Sequence, residues 1–420
     1  MTETLPSTEV PERVRLWTVA SLIAGRSAYR LALYAAGILL LAAWGSARFA
    51  PYAAALGTTS WLTTVVQMGP EKAALKLLPR ARRTHGDLVA TLRAFALLAP
   101  ILLVGVAAVA VVAAPESRVA LYALAAAQAT ALGSVLLGVA LHRALGRPRS
   151  DTLTFLLLAL GTVVLIGLAY TPGISPVAYL TGQLVLTLAA LGLLLRRPAP
   201  KRRPRPGVRR LLTATSVLMG TPEVLMNAGT SVLYVELTAG AHAGQSSELY
   251  LVLQGWAVII AFVYFLQRLL QPRLSARLAI DGAADGRTRI ARLARPVVAL
   301  GAGWLVAATA LLAVFPTPVT DLAPVRLTVL LAVLIVTRIP AYLLMSQVTF
   351  VLENTDAAGL RTSARGAVLS MLTVAGVGAV ATPLLGAAGA VYALGVKELV
   401  LALNVTYRPR PKRLTRGPYK

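Results

Sequence analysis

Apolar runs of 18 or more residues recur along the whole chain, and no other feature limits its fold as strongly. A helix rises about 1.5 Å per residue, so about 20 apolar residues cross the roughly 30 Å hydrocarbon core of a bilayer. Hydrophobic residues make up 57% of the 420 residues, against about 45–50% in an ordinary soluble domain. We therefore expect an all-α polytopic membrane protein.

Turn residues, chiefly Pro and Gly, separate the apolar runs into about twelve expected transmembrane helices. These lie at residues 27–47, 51–69, 88–114, 118–141, 152–170, 176–195, 211–237, 249–268, 296–315, 326–350, 366–384 and 387–406.

The formal net charge of +25 lies almost entirely in one set of alternate loops. Of the 41 Lys and Arg residues, 36 fall on one side of the twelve-helix topology, three on the other and two inside spans. Because positive charge is retained in the cytoplasm, we expect both termini there. The same placement argues against nucleic-acid binding and suits contact with anionic lipids.

Arginine outnumbers lysine 35 to 6, which is typical of a GC-rich bacterial genome, so we expect a multi-pass protein of the bacterial cytoplasmic (inner) membrane.

A basic, proline-rich linker, RRPAPKRRPRPGVRR, separates the first six expected spans from the last six. Tyr52 and Gly57 recur as Tyr250 and Gly255 at an offset of 198 residues, which is a weak internal repeat. Both halves start in the cytoplasm, so the repeats are expected to be parallel. The expected divisions are an interfacial segment (1–26), an N-lobe (27–195), the linker (196–210), a C-lobe (211–406) and a basic tail (407–420).

Several kinds of chemistry are absent from the sequence. There are no cysteines, and the three histidines form no pair at a metal-binding spacing. No Walker A loop and no Ser/His pair for nucleophilic catalysis is present. We therefore expect a transporter without a bound cofactor or metal, rather than an enzyme.

Ionisable side chains inside a membrane cost at least about 2.5–3.5 kcal/mol each on insertion scales, so those within the expected spans are candidates for function. The cations could line a cavity and bind a phosphate or pyrophosphate group; the polar and acidic residues could form a polar cavity wall or bind a coupling H⁺ or Na⁺. Snorkelling of the first cation to the headgroups, and ion pairs for Arg338 and Glu223, are the competing interpretations. The candidate cations are Arg30, Arg338 and Lys397, and the candidate coupling or polar residues are Glu223, Asn227 and Glu398.

Short motifs in both halves resemble one family. Residues 48–83 carry Tyr52 where a tyrosine is common at the start of the second helix, and Met68-Gly69-Pro70-Glu71 stands at its basic cytoplasmic exit. In the second half, Glu248-Leu249-Tyr250 and Gln271-Pro272-Arg273-Leu274-Ser275 fall at corresponding places. These stretches resemble the polysaccharide-exporter flippases, in the superfamily of multidrug, oligosaccharidyl-lipid and polysaccharide exporters.

The resemblance implies a flippase that moves a lipid-linked saccharide, a polysaccharide precursor, across the cytoplasmic membrane by alternating access. It further implies that Arg30 and Arg338 hold the phosphate groups, and that glycan-assembly enzymes are partners. A cation-coupled drug or natural-product exporter of the same superfamily and a major-facilitator-type transporter are the alternatives. A structural subunit of a glycan-assembly complex is the non-transport alternative.

Overall fold

The computed structural model describes residues 16–78, 84–147, 149–171, 173–196, 205–314, 318–355 and 357–406. Apart from two single-turn 3₁₀ helices, every regular segment in these ranges is an α-helix. In chain order these are α1 (Leu16–Thr59), α2 (Trp61–Leu77), α3 (His85–Ala113), α4 (Arg118–Ala144), α5 (Arg149–Ala169), α6 (Pro176–Leu195), α7 (Pro206–Ala239), α8 (Ser246–Val314), α9 (Pro324–Thr355), α10 (Ala357–Leu385) and α11 (Ala387–Thr406).

The expected all-helical, multi-pass membrane architecture is confirmed. Within the described residues, nine helical segments are long and apolar enough to cross a membrane. The helices α1 and α2 together contain the first two expected spans and α8 contains two more, so the number of spans is near the twelve expected from the sequence. The N-terminal residues 1–15, most of the linker (197–204) and the tail (407–420) lie outside the described residues.

The first two expected spans are joined differently from the prediction. The turn expected between residues 47 and 51 does not interrupt α1, which continues through Pro51 to Thr59. The change of direction occurs at Gly45, whose φ of 70° and ψ of 168° are not helical. Glycine adopts positive φ without the steric cost that a Cβ brings, which explains a kink at this residue.

The long helix α8 contains the eighth and ninth expected spans. As a straight helix it would separate Trp256 from Val297 by about 60 Å. However, the Trp256 ring lies 4.9 Å from that of Tyr342, and Val297 packs in one cluster with Met345, one turn further along α9. Both ends of α8 therefore pack against the same part of α9, and the helix makes two crossings.

The contacts divide the chain into two compact units. The first contains the described residues up to Gly45 together with Val65–Ser216, and the second contains Ser46–Thr64 together with the described residues from Val217 onward. The sequence-based division placed residues 46–64 in the N-lobe, whereas their packing groups them with the C-terminal half. The six-plus-six division at the linker stays a prediction.

Aromatic packing explains the position of segment 46–64. The ring of Phe49 lies 5.6 Å from Tyr52 and 6.0 Å from Tyr250, and the two tyrosine rings are 6.4 Å apart in an edge-to-face arrangement. Such pairs contribute about 0.5–1.5 kcal/mol each beyond the area that they bury. Tyr52 and Tyr250 are the two tyrosines related by the 198-residue offset, so the proposed repeat brings equivalent residues into contact.

Candidate functional site

Three of the candidate residues come together in the second unit. Arg338 on α9 and Glu398 on α11 form an ion pair, with Nε 3.4 Å from Oε1, and each side chain is 3% exposed. Lys397 is also buried, and it directly precedes Glu398 on α11. We call these three residues the Arg338 cluster. The sequence had indicated that Lys397 and Glu398 point about 100° apart, so that at least one needs a partner on another helix. Arg338 is that partner for Glu398.

Two tryptophans and a glycine hold the helices of the Arg338 cluster together. Trp304 on α8 donates through Nε1 to the carbonyl of Leu334 at 3.0 Å, one turn before Arg338 on α9. Its ring packs directly on Gly395 of α11, where any Cβ would collide with it. Trp256 lies against the Arg338 guanidinium, with its ring centre 5.5 Å from Cζ. The guanidinium is therefore fixed from α8 and α11 together.

Burial changes what the Arg338 cluster can do. The sequence-based hypothesis placed Arg338 and Lys397 on the wall of a cavity large enough for a saccharide headgroup. In the structure both side chains are buried within the second unit, and Arg338 is occupied by Glu398. Their direct contact with substrate stays a prediction. The Arg338 cluster is a group of charges removed from water, and such a group can attract small ions.

Glu223 and Asn227 lie one turn apart on α7, as the i, i+4 spacing predicts. Asn227 is exposed and donates through Nδ2 to the carbonyl of Glu223 at 2.9 Å. The side chain of Glu223 is partly buried next to Pro222, which lies inside the helix. Neither residue is among the described partners of Arg338. Their role in coupling stays a prediction.

Arg30 on α1 lies in the first unit, and it is exposed. Its neighbour Tyr29 is buried and packs on Phe155, with ring centres 5.8 Å apart. Since consecutive helical residues point about 100° apart, the packing of Tyr29 turns Arg30 away from this core. Of the three candidate cations, Arg30 is thus the exposed one, and the other two are buried.

A second group of buried charges lies in the first unit, and the sequence did not predict it. The carboxylate of Asp151 accepts hydrogen bonds from Arg26 Nε at 3.1 Å and Nη2 at 2.8 Å, and it lies 3.1 Å from Arg143 Nε. Arg143 also reaches Glu71, with Nη2 3.2 Å from Oε1, and Gln67 donates to the other oxygen of Glu71 at 2.7 Å. We call these five residues the Asp151 network.

The Asp151 network joins α1, α2, α4 and α5. It escaped prediction because Arg26 and Arg143 were counted among the loop charges, and Asp151 stands at the start of an expected span. The sequence did contain one indication of the network: Glu71 and Asp151 are two of only 16 acidic residues in the chain. An acidic residue among so many arginines indicates a specific ion pair.

Neutral polar side chains continue through the interior of the first unit. Gln128 donates to Thr187 at 2.9 Å, and Gln183 donates to Tyr179 at 2.9 Å and to Thr162 at 3.2 Å. All five residues are buried. Among the residues that the structure describes, no three His, Asp or Glu side chains converge as a metal site.

Comparison with known proteins gives the fold. No protein-family model matches the chain, and no curated protein matches its sequence. An inward-facing multidrug resistance MATE family transporter of the MOP superfamily matches 93% of this chain and 96% of its own, at 12% identity and a TM-score of 0.60. An outward-facing transporter of the same family matches 93% of this chain and 92% of its own, at 12% identity and a TM-score of 0.49. On the first of these matches, the chain has the fold of a MATE-type transporter of the MOP superfamily.

Proposed function

We propose that this chain is an alternating-access exporter that moves a lipid-linked saccharide, a precursor of polysaccharide biosynthesis, across the cytoplasmic membrane. The fold supports the transport part of the proposal. An anionic substrate is supported by one observation above the others: the Arg338 cluster contains two cations and one carboxylate. Carriers of organic cations need carboxylates, whereas excess positive charge in a low-dielectric interior favours phosphate groups.

The difference in exposure supports different roles for the three cations in this proposal. Arg30 is open to a large ligand and would contact the phosphate or pyrophosphate of the substrate directly. Arg338 and Lys397 are buried and would contribute through their field rather than by contact. The hydrocarbon tail of such a substrate can stay in the bilayer while its headgroup crosses, so the protein needs to shield only the polar part.

A flipping assay tests this proposal. The purified protein is reconstituted into liposomes with a fluorescent polyprenyl-pyrophosphate disaccharide, and the label remaining in the outer leaflet is measured by dithionite quenching. We expect faster exchange between leaflets than in protein-free vesicles, and at least about tenfold slower exchange in Arg30→Gln, which loses a charge-assisted hydrogen bond.

The matched control is Arg118→Gln, which removes another exposed arginine, at the first residue of α4. It should exchange the probe at the wild-type rate. Exchange no faster than in empty vesicles would refute the proposal, as would equal rates in Arg30→Gln and wild type.

The second candidate is a cation-coupled exporter of drugs or natural products. One observation favours it: the solved protein with which this chain shares its fold is named as a multidrug resistance transporter. In this case Glu223 and Asn227 would form the site for H⁺ or Na⁺. Ethidium uptake into the same liposomes under an imposed proton or sodium gradient separates the candidates, because the flippase should leave ethidium outside. The fold gives no support to the major-facilitator alternative.

A further inference from the structure

The Arg338 cluster has an imbalance of charge. Arg338, Lys397 and Glu398 are all less than a tenth exposed, and they lie on two adjacent helices. Glu398 is 3.4 Å from Arg338, so this pair is neutral as a whole. Lys397, which directly precedes Glu398 on α11, then adds one positive charge to the buried groups that the structure describes here. An isolated buried charge costs several kcal/mol unless a counter-charge accompanies it.

The guanidinium of Arg338 also has hydrogen-bonding capacity left over. Its Nη1 is buried and donates no hydrogen bond within the part of the chain that the structure describes, and neither carboxylate oxygen of Glu398 accepts one there. Buried donors are nearly always bonded to protein, water or an ion. Trp256 covers one face of the guanidinium, and Tyr342 packs behind Trp256 at 4.9 Å. A ligand would therefore approach the edge of the guanidinium plane, where the N–H groups point.

We propose that Arg338 and Lys397 bind a small monovalent inorganic anion of the chloride class. A single negative charge matches the surplus of one positive charge. Both side chains are buried, which favours a small ion over a saccharide headgroup. This site is separate from the proposed contact of Arg30 with substrate, and it does not depend on the proposed function.

Trp256 supplies a direct readout of this site. Bromide and iodide quench tryptophan fluorescence on contact, and the Trp256 ring lies 5.5 Å from the guanidinium carbon of Arg338. The full-length protein is purified in detergent micelles in sodium gluconate, and it is titrated with sodium bromide at constant ionic strength. We expect a saturable component of quenching that chloride displaces and that is lost in Trp256→Phe. Quenching that rises linearly with bromide, to the same extent in wild type and in Trp256→Phe, would overturn the proposal.

Two substitutions assign the site to its residues. Lys397→Met removes the surplus charge, keeps a similar volume and leaves the Arg338–Glu398 pair intact, so we expect it to fold. Bromide affinity should fall at least about tenfold in this variant. Arg326→Gln is the control, because Arg326 lies on α9, the helix that carries Arg338, but is exposed. This variant should bind bromide as wild type does.

Two further results would contradict the assignment: unchanged affinity in Lys397→Met, or an equal loss in Arg326→Gln. The binding assay contains no saccharide and the flipping assay measures no bromide binding, so failure of one proposal can be told from failure of the other.

Discussion

The two units contain buried charges of different composition. In the Asp151 network, two arginines face two carboxylates, and each carboxylate has at least two polar partners. In the Arg338 cluster, two cations face one carboxylate, and Nη1 of Arg338 has no acceptor among the described residues. Similar residue types thus produce a balanced network in one unit and an unbalanced one in the other.

The difference separates a structural role from a functional one. A balanced network matches cations with carboxylates and joins four helices, so removing one of its charged members leaves another charge with one partner fewer. We proposed that the unbalanced cluster takes up an anion, because ionisable groups within a membrane are by default candidates for function. The substitutions below remove charges from one group or the other, and the expected change in stability depends on whether the remaining cations and carboxylates match in number.

The largest effect should come from Asp151→Asn. Asp151 is fully buried and pairs with two arginines, so its neutralisation removes the described counter-charge of Arg26 and leaves Arg143 with Glu71 alone. We expect a loss of about 3–5 kcal/mol in the free energy of unfolding, as for other broken buried ion pairs. The midpoint of unfolding in detergent micelles measures this loss. Asp321→Asn, at an exposed carboxylate, should leave the midpoint unchanged.

Glu398→Gln should have the next largest effect. It leaves Arg338 and Lys397 buried together without a carboxylate, and we expect a loss of about 3 kcal/mol in halide-free buffer. The double variant Glu398→Gln/Lys397→Met should recover part of this loss, because one of the two repelling cations is gone. A double variant that unfolds earlier than Glu398→Gln alone would show that no such repulsion exists.

Arg143→Met should have a smaller effect, of about 2 kcal/mol. Arg143 bridges Asp151 and Glu71, but its side chain is 22% exposed, so water compensates for part of the lost pairing. Asp151 retains Arg26 in this variant. The unfolding midpoint is again the measurement, and a midpoint equal to that of wild type would show that the network does not stabilise the first unit.

The membrane architecture could be predicted from the sequence because its cause is local. Each apolar run is long enough to cross a bilayer, and the positive loops indicate the order of crossings. The kink at Gly45 and the continuation of α1 through Pro51 could not be predicted. They depend on the packing of Phe49 and Tyr52 against Tyr250, nearly 200 residues away in the chain.

The candidate site could be predicted in part for a similar reason. The cost of burying a charge in a membrane identified Arg338, Lys397 and Glu398 one by one. The ion pair joins Arg338 and Glu398, which are 60 residues apart in the chain, and no sequence pattern predicts it. The Asp151 network was missed because residues near span ends, such as Arg143, can reach water in a sequence-based topology. Whether they do so is decided by tertiary packing.

The most direct test compares Lys397→Met with Arg143→Met in halide-free buffer. Both substitutions replace a cation with an apolar side chain, one in the unbalanced cluster and one in the balanced network. We predict that Arg143→Met lowers the unfolding midpoint, whereas Lys397→Met leaves stability within about 1 kcal/mol of wild type or raises it. Equal destabilisation by the two substitutions would contradict the surplus of positive charge in the Arg338 cluster.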